Sequence, residues 1–157
     1  MTGPAPTAAA RDPRIPPLSV ALGFGPAAIL PLLALAAFLL PPRTAWIAVA
    51  LAQLWGGSIL LFLAGVRRGL SFFTEGGPRP VQVATSVWLF VLGLAGLALP
   101  APFAFLAQIL GYGTVGLTDP RAAKRGEVPA HFARLRPPQM AIAVLGLVAL
   151  TVRVSLG

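Results

Sequence analysis

Residues 18–40 read LSVALGFGPAAILPLLALAAFLL, a run without an ionisable side chain that stops at Pro41-Pro42-Arg43. Wound as an α-helix at 1.5 Å per residue, it is about 34 Å long, enough to cross the roughly 30 Å hydrocarbon core of a bilayer. A secretory signal would have a shorter apolar region and a small-residue cleavage site, so we expect an uncleaved first span. Pro26 and Pro31 within it predict bends.

The rest of the chain repeats this alternation of oily runs and punctuation. Ahead of the run lies a polar tail, residues 1–17, with Arg11 and Arg14; residues 18–157 read as one transmembrane domain. A second run, Thr44 to Val66, ends at Arg67-Arg68. After a turn-rich loop, Gly69 to Pro80, come a third run, Val81 to Leu99, and a fourth, Ala101 to Leu117. Only Pro100 and Pro102 separate these two, which predicts a tight antiparallel hairpin. The long polar interval from Thr118 to Pro138 follows. Within it Val128, Phe132 and Leu135 recur at helical spacing, so Pro129–Arg136 is expected to form a short interfacial helix, with Pro137-Pro138 restarting the chain. The last run, Gln139 to Val152, reaches crossing length through residue 155 if Arg153 snorkels. The expected fold is therefore all-α, an integral membrane bundle of five transmembrane helices spanning about 18–40, 44–66, 81–99, 101–117 and 139–155.

Composition agrees. The chain is 57% hydrophobic and 10% charged, where a soluble domain carries about 25% charge. Its formal charge of +8 sits just outside the apolar runs and is not interleaved with aromatics, which argues for topology signals and against nucleic-acid binding. With five spans, Arg11 and Arg14, then Arg67, Arg68 and Arg79, then Arg121, Lys124, Arg125, Arg134 and Arg136 fall on one side, and Arg43 and Arg153 on the other. The positive-inside rule then puts the N-terminus in the cytoplasm and the C-terminus outside.

Catalytic patterns are sparse. There is no cysteine and one histidine, too few for a metal site, and no phosphate-binding or dinucleotide fingerprint, so no cofactor is expected. Asp12, Glu75, Asp119, Glu127 and His131 all lie outside the apolar runs. Without an ionisable group inside a span, coupled ion transport is not expected. Neutral polar groups remain: Gln53 and Gln108 either hydrogen-bond across the bundle or mark a polar solute path. They sit in two similar segments, LAQLWG at 51–56 and LAQILG at 106–111, which read either as parallel two-hairpin repeats plus one helix or as chance likeness between Ala/Leu/Gly-rich helices. Small residues at four-residue spacing, Ala48-Ala52-Gly56, Ala107-Gly111 and Gly65-Gly69, would permit close helix approach. The cations Arg67, Arg68, Arg121, Lys124, Arg125, Arg134 and Arg136 either set topology alone or also hold anionic lipid headgroups.

Three segments carry a resemblance: Phe62-Leu63-Ala64-Gly65-Val66-Arg67-Arg68-Gly69-Leu70, Leu22-Gly23-Phe24-Gly25-Pro26, and His131-Phe132-Ala133-Arg134-Leu135-Arg136. From about Leu18 onward the chain resembles a small multi-pass family of unknown function from proteobacteria, whose relatives include a mitochondrial inner-membrane protein. Arg67-Arg68-Gly69 stands where that family usually has Arg-Trp-Gly, and His131-Phe132 where it usually has Trp-Tyr, so two interfacial aromatics are missing. The resemblance implies a five-helix inner-membrane protein and supplies no reaction. Its matching positions are Arg67, Gly69, Leu135 and Arg136.

The function expected on these grounds is a noncatalytic accessory, scaffold or assembly factor that contacts anionic lipid and other inner-membrane proteins. The alternative is a small-solute carrier or channel with a polar path near Gln53 and Gln108. An enzyme working through His131 would need an acid within hydrogen-bond reach of that ring.

Overall fold

Prolines start these helices more often than they stop them. A proline lacks only an N–H that the first helical turn leaves unpaired, and its φ is already helical. In the computed structural model, which describes residues 17–156, three of the five helices open directly on a proline. They are α1 (Pro17–Leu39), α2 (Pro42–Ser71), α3 (Pro80–Ala98), α4 (Ala101–Lys124) and α5 (Phe132–Ser155). Each is long and apolar enough to cross a membrane, and no strand occurs among the described residues. The polar tail assigned to residues 1–17 lies outside the described residues except for Pro17, which begins α1.

Three helices are longer than their oily runs. Helix α2 continues past Val66 through Arg67 and Arg68 to Ser71. Helix α4 continues past Leu117 through Asp119 and Pro120 to Lys124. The separate interfacial helix expected at Pro129–Arg136 does not form: α5 starts at Phe132 and passes through Pro137 and Pro138 without a break. Those two prolines deprive the carbonyls of Ala133 and Arg134 of their helix donors, but Arg134 is exposed and Ala133 half-exposed, so water or headgroups can satisfy them. Gly126, at φ +70°, terminates α4. Its N–H donates to the Ala123 carbonyl and the Glu127 N–H reaches back to Ala122, the paired bonds of a left-handed helix terminus.

The helices form a ring in chain order, with α5 closing on α1 and α2 also touching α4 across the interior. Small residues make this possible: Ala48, Ala52 and Gly56 of α2 and Ala107 and Gly111 of α4 are buried, while Gly65 lies on the outside. The outer face carries Leu22, Leu32, Ile47, Leu54, Phe62, Phe90, Leu110 and Leu145, all well exposed. A water-soluble monomer does not present so continuous an oily surface, whereas acyl chains solvate it. The molecule is a multi-pass membrane bundle. At the end opposite the basic loops, Arg153 Nε donates to the Ala37 carbonyl at 2.8 Å. That acceptor would otherwise bond the residue four positions on, which is Pro41, so Arg153 turns inward to fill a vacancy and does not simply snorkel.

Gln53 and Gln108 are helix-to-helix cross-links. Gln108 is fully buried and its Nε2 donates to the carbonyls of Gln53 (2.9 Å) and Gly96 (3.1 Å). Gln53 Nε2 donates to Leu99 at 2.9 Å and to Leu97 at 3.3 Å. Gln108 thus reaches within its own hairpin as well as to α2, whereas Gln53 reaches across to the other hairpin, so the two similar segments have different surroundings. Both amides are bound to backbone. Replacing Gln108 with Leu is expected to cost about 0.6–1.7 kcal/mol, the range of hydrogen bonds between membrane helices, read as a lower melting temperature in detergent. The loss stays modest because Gln108 Oε1 has no donor and its burial penalty disappears with it.

Candidate functional site

The buried stripe of α4 runs from Gln108 through the neighbours Gly111 and Tyr112 to Val115, Asp119 and Ala122, which share one helical face. Asp119 therefore faces inward because the helix does not stop at Leu117. Two guanidinium groups meet it. Arg67 Nη2 of α2 lies 3.2 Å from Oδ1, and Arg136 Nε of α5 lies 3.3 Å from Oδ2. The side chains are 12%, 3% and 10% exposed for Arg67, Asp119 and Arg136, so the ions are shielded from solvent. Leu63, Val66, Leu70, Val115, Val128 and Phe132 enclose them and leave no room for a water molecule.

The network continues on both sides. Arg67 Nη1 donates to Thr118 Oγ1 at 2.6 Å, and that hydroxyl donates to the Thr114 carbonyl. Arg136 Nη1 donates to Gln139 Oε1 at 3.2 Å, while Gln139 Nε2 donates to the Gly23 carbonyl in α1. The Arg136 guanidinium also lies 4.4 Å over the Phe132 ring. Four helices are thereby tied together at one end of the bundle. Two cations share one carboxylate, which leaves the cluster with a net positive charge.

This corrects the expectation that no ionisable group lies within a spanning helix. Arg67 and Arg136, read from sequence as surface cations, are buried partners of Asp119, an acid assigned to a loop. Asp119 was recoverable from its phase: it falls one helical step beyond Val115 on the apolar stripe. Leu135 is buried beside Arg136, and the space around Gly69 is open. Arg68 stacks 4.1 Å from the centre of the Phe72 ring and donates to Ser71 Oγ at 2.9 Å. Arg121, Lys124 and Arg134 are exposed.

Arg125 belongs to a second cluster. Its Nε and Nη2 donate to the two oxygens of Glu127 at 2.7 and 3.1 Å, and Arg79 Nη1 from the α2–α3 loop donates to the same carboxylate at 3.0 Å. The hydrogen bonds from Arg125, with the charges of Arg125 and Arg79, hold the Glu127 carboxyl below its ordinary value. A depressed carboxyl stabilises the fold fully above its unfolded value, near 4.5, and that contribution drains away as pH falls through the lower folded value. Melting temperature is thus expected to drop with acidification below about pH 4.5. In Glu127→Gln it should start lower and lose that part of the slope. Both arginines are about half exposed, so the effect is under about 1 kcal/mol.

Beside the ion cluster, a cavity of about 270 Å³ lies between α1, α2 and α5. Ser19, Leu22, Gly23, Pro26 and Ala27 line it from α1, Ile59, Phe62, Leu63 and Val66 from α2, and Phe132, Leu135, Arg136, Gln139 and Met140 from α5, with Tyr112 behind. Tyr112 presents only its ring, since its hydroxyl donates to the Gly56 carbonyl at 2.8 Å. The wall is hydrocarbon except at the end formed by Arg136, Gln139 and Ser19.

His131 packs edge-on against Phe132 at 5.1 Å. Desolvation, with the nearby Arg136 charge, pushes its pKa down. Among the described residues no carboxylate lies within 4.0 Å of its ring nitrogens, and no three potential metal ligands converge. Comparison with family models, curated proteins and solved structures found no match for this chain.

Proposed function

We propose that the chain is a noncatalytic accessory protein of the bacterial inner membrane. In this reading it acts by contact, holding anionic lipid headgroups at its basic end and packing its apolar flanks against other membrane proteins. The observation that carries it is the distribution of charge. Every described cation except Arg43 and Arg153 stands at the end of the bundle where α2 and α4 finish and α3 and α5 begin. Among the described residues Arg68, Arg121, Lys124 and Arg134 have no carboxylate partner. Each such cation near an anionic membrane surface contributes about 1 kcal/mol. The positive-inside rule turns that end to the cytoplasm, and the family resemblance at Arg67, Gly69, Leu135 and Arg136 supports the inner membrane as its place.

A carrier would need a polar path at Gln53 and Gln108. Their amides are already bound to the backbone of α2, α3 and the α3 terminus, which favours contact over transport. The test is lipid enrichment in nanodiscs of mixed phosphatidylglycerol and phosphatidylcholine, joined to copurification in mild detergent. We expect phosphatidylglycerol enrichment around the wild type, reduced severalfold in Arg121→Gln/Lys124→Gln/Arg134→Gln, and a stoichiometric membrane-protein partner. Unchanged enrichment in that variant, with no partner under gentle conditions, would overturn the reading.

A further inference from the structure

The cavity between α1, α2 and α5 is polar at one end only, and its direction matches that of a lipid. Ser19 to Ala27 along α1 and Phe132 to Met140 along α5 each cover about 12 Å at 1.5 Å per residue. One leaflet holds roughly 15 Å of hydrocarbon. The cavity therefore runs most of a leaflet's depth, starting from the basic end. Its rim includes Leu22 and Phe62, both about two-thirds exposed on the oily outer face, so it opens sideways among acyl chains. Its volume, about 270 Å³, lies below the roughly 300–1,000 Å³ of pockets for drug-sized ligands and suits a narrow chain. An apolar hollow reached by hydrocarbon fills with it, because vacancy forfeits dispersion contacts.

Charge names the head. Arg136 is more than nine-tenths buried at the polar end. A guanidinium carries five N–H donors, and among the described residues Arg136 commits Nη1 to Gln139 and turns Nε to the Asp119 carboxylate, which leaves Nη2 without a hydrogen-bond partner. The lone carboxylate nearby is shared with Arg67, so positive charge and donor capacity are left over where a phosphate would sit.

We infer that this cavity is a specific lipid site: it takes one acyl chain of an anionic phospholipid from the surrounding leaflet, with the phosphate against Arg136. The inference deepens the reading of the basic end as a lipid-contacting surface, and it rests on that reading. A chain-specific site differs from a diffuse headgroup layer because it depends on the hollow and takes up a single lipid.

Native mass spectrometry of the detergent-purified, delipidated protein, reloaded with phosphatidylglycerol or phosphatidylcholine, tests it. The wild type is expected to retain one phosphatidylglycerol per chain, and glycerol phosphate, which has no chain, is expected not to compete. Filling the cavity with Ala27→Leu, or blocking its rim with Ser19→Phe, should lower retention about tenfold at unchanged melting temperature; having two variants guards against one misfolding. The surface variant Arg121→Gln/Lys124→Gln/Arg134→Gln should keep this one lipid while losing the diffuse enrichment, which separates the two readings. Equal retention of phosphatidylcholine, a neutral amphiphile as the retained species, or wild-type retention in folded cavity variants would each overturn the site.

Discussion

Replacing Asp119 with Asn is expected to destabilise the bundle by about 3–5 kcal/mol, more than replacing either arginine that it bridges. The reason is arithmetic of charge in a dry place. Asp119 is 2% exposed and stands between Arg67 at 3.2 Å and Arg136 at 3.3 Å. Without its charge, two guanidinium ions remain buried and repel each other. Arg67→Gln or Arg136→Gln, by contrast, leaves one neutral pair, so each single loss should be smaller. Combining all three substitutions should recover much of the stability, because no uncompensated ion is left. Unfolding in mixed micelles or thermal melting reads the order directly. An Asp119→Asn protein as stable as Arg67→Gln would show that the cluster is not held as a buried triad.

The second large effect is at the seam between α1 and α5. A methyl group at Gly146 would come within 2.5 Å of the Pro31 nitrogen and 2.7 Å of the Leu30 carbonyl carbon. Those are backbone atoms and cannot rotate aside. Gly146→Ala must therefore push α1 away from α5, at about 1–3 kcal/mol for overpacking. Because α1 and α5 also frame the lipid cavity, the same change should reduce lipid retention. Gly113 in α4 is the control: nothing lies near its α-carbon, so Gly113→Ala should be neutral or gain up to about 1 kcal/mol from helix propensity. Equal melting temperatures for the two variants would contradict the packing described for the seam.

The five helices were legible because an ion-free oily run has only one way to satisfy its amides in lipid. Their ends were less so. Apolar runs break at the first charge, but a helix continues through a charge that finds a partner, as α4 does at Asp119. The buried stripe of α5, from Leu135 and Gln139 through Ala143 to Gly146, likewise passes Pro137-Pro138 without losing phase. That continuity of phase was present in the sequence and outweighs the prolines as a signal. The pairing of Arg67 with Arg136 around one acid was not legible, since it depends on which helices meet at the basic end. Nor was the cavity, which depends on how α1, α2 and α5 close around Gly23 and Pro26.

The chain contains no cysteine, so single introduced thiols report topology without background. Glu75→Cys and Lys124→Cys should react with a membrane-impermeant maleimide only when the cytoplasmic face is opened. Leu40→Cys and Leu99→Cys should react in intact spheroplasts. Labelling of Lys124→Cys and Leu99→Cys from the same face would contradict a bundle of five crossings with its cations gathered on one side.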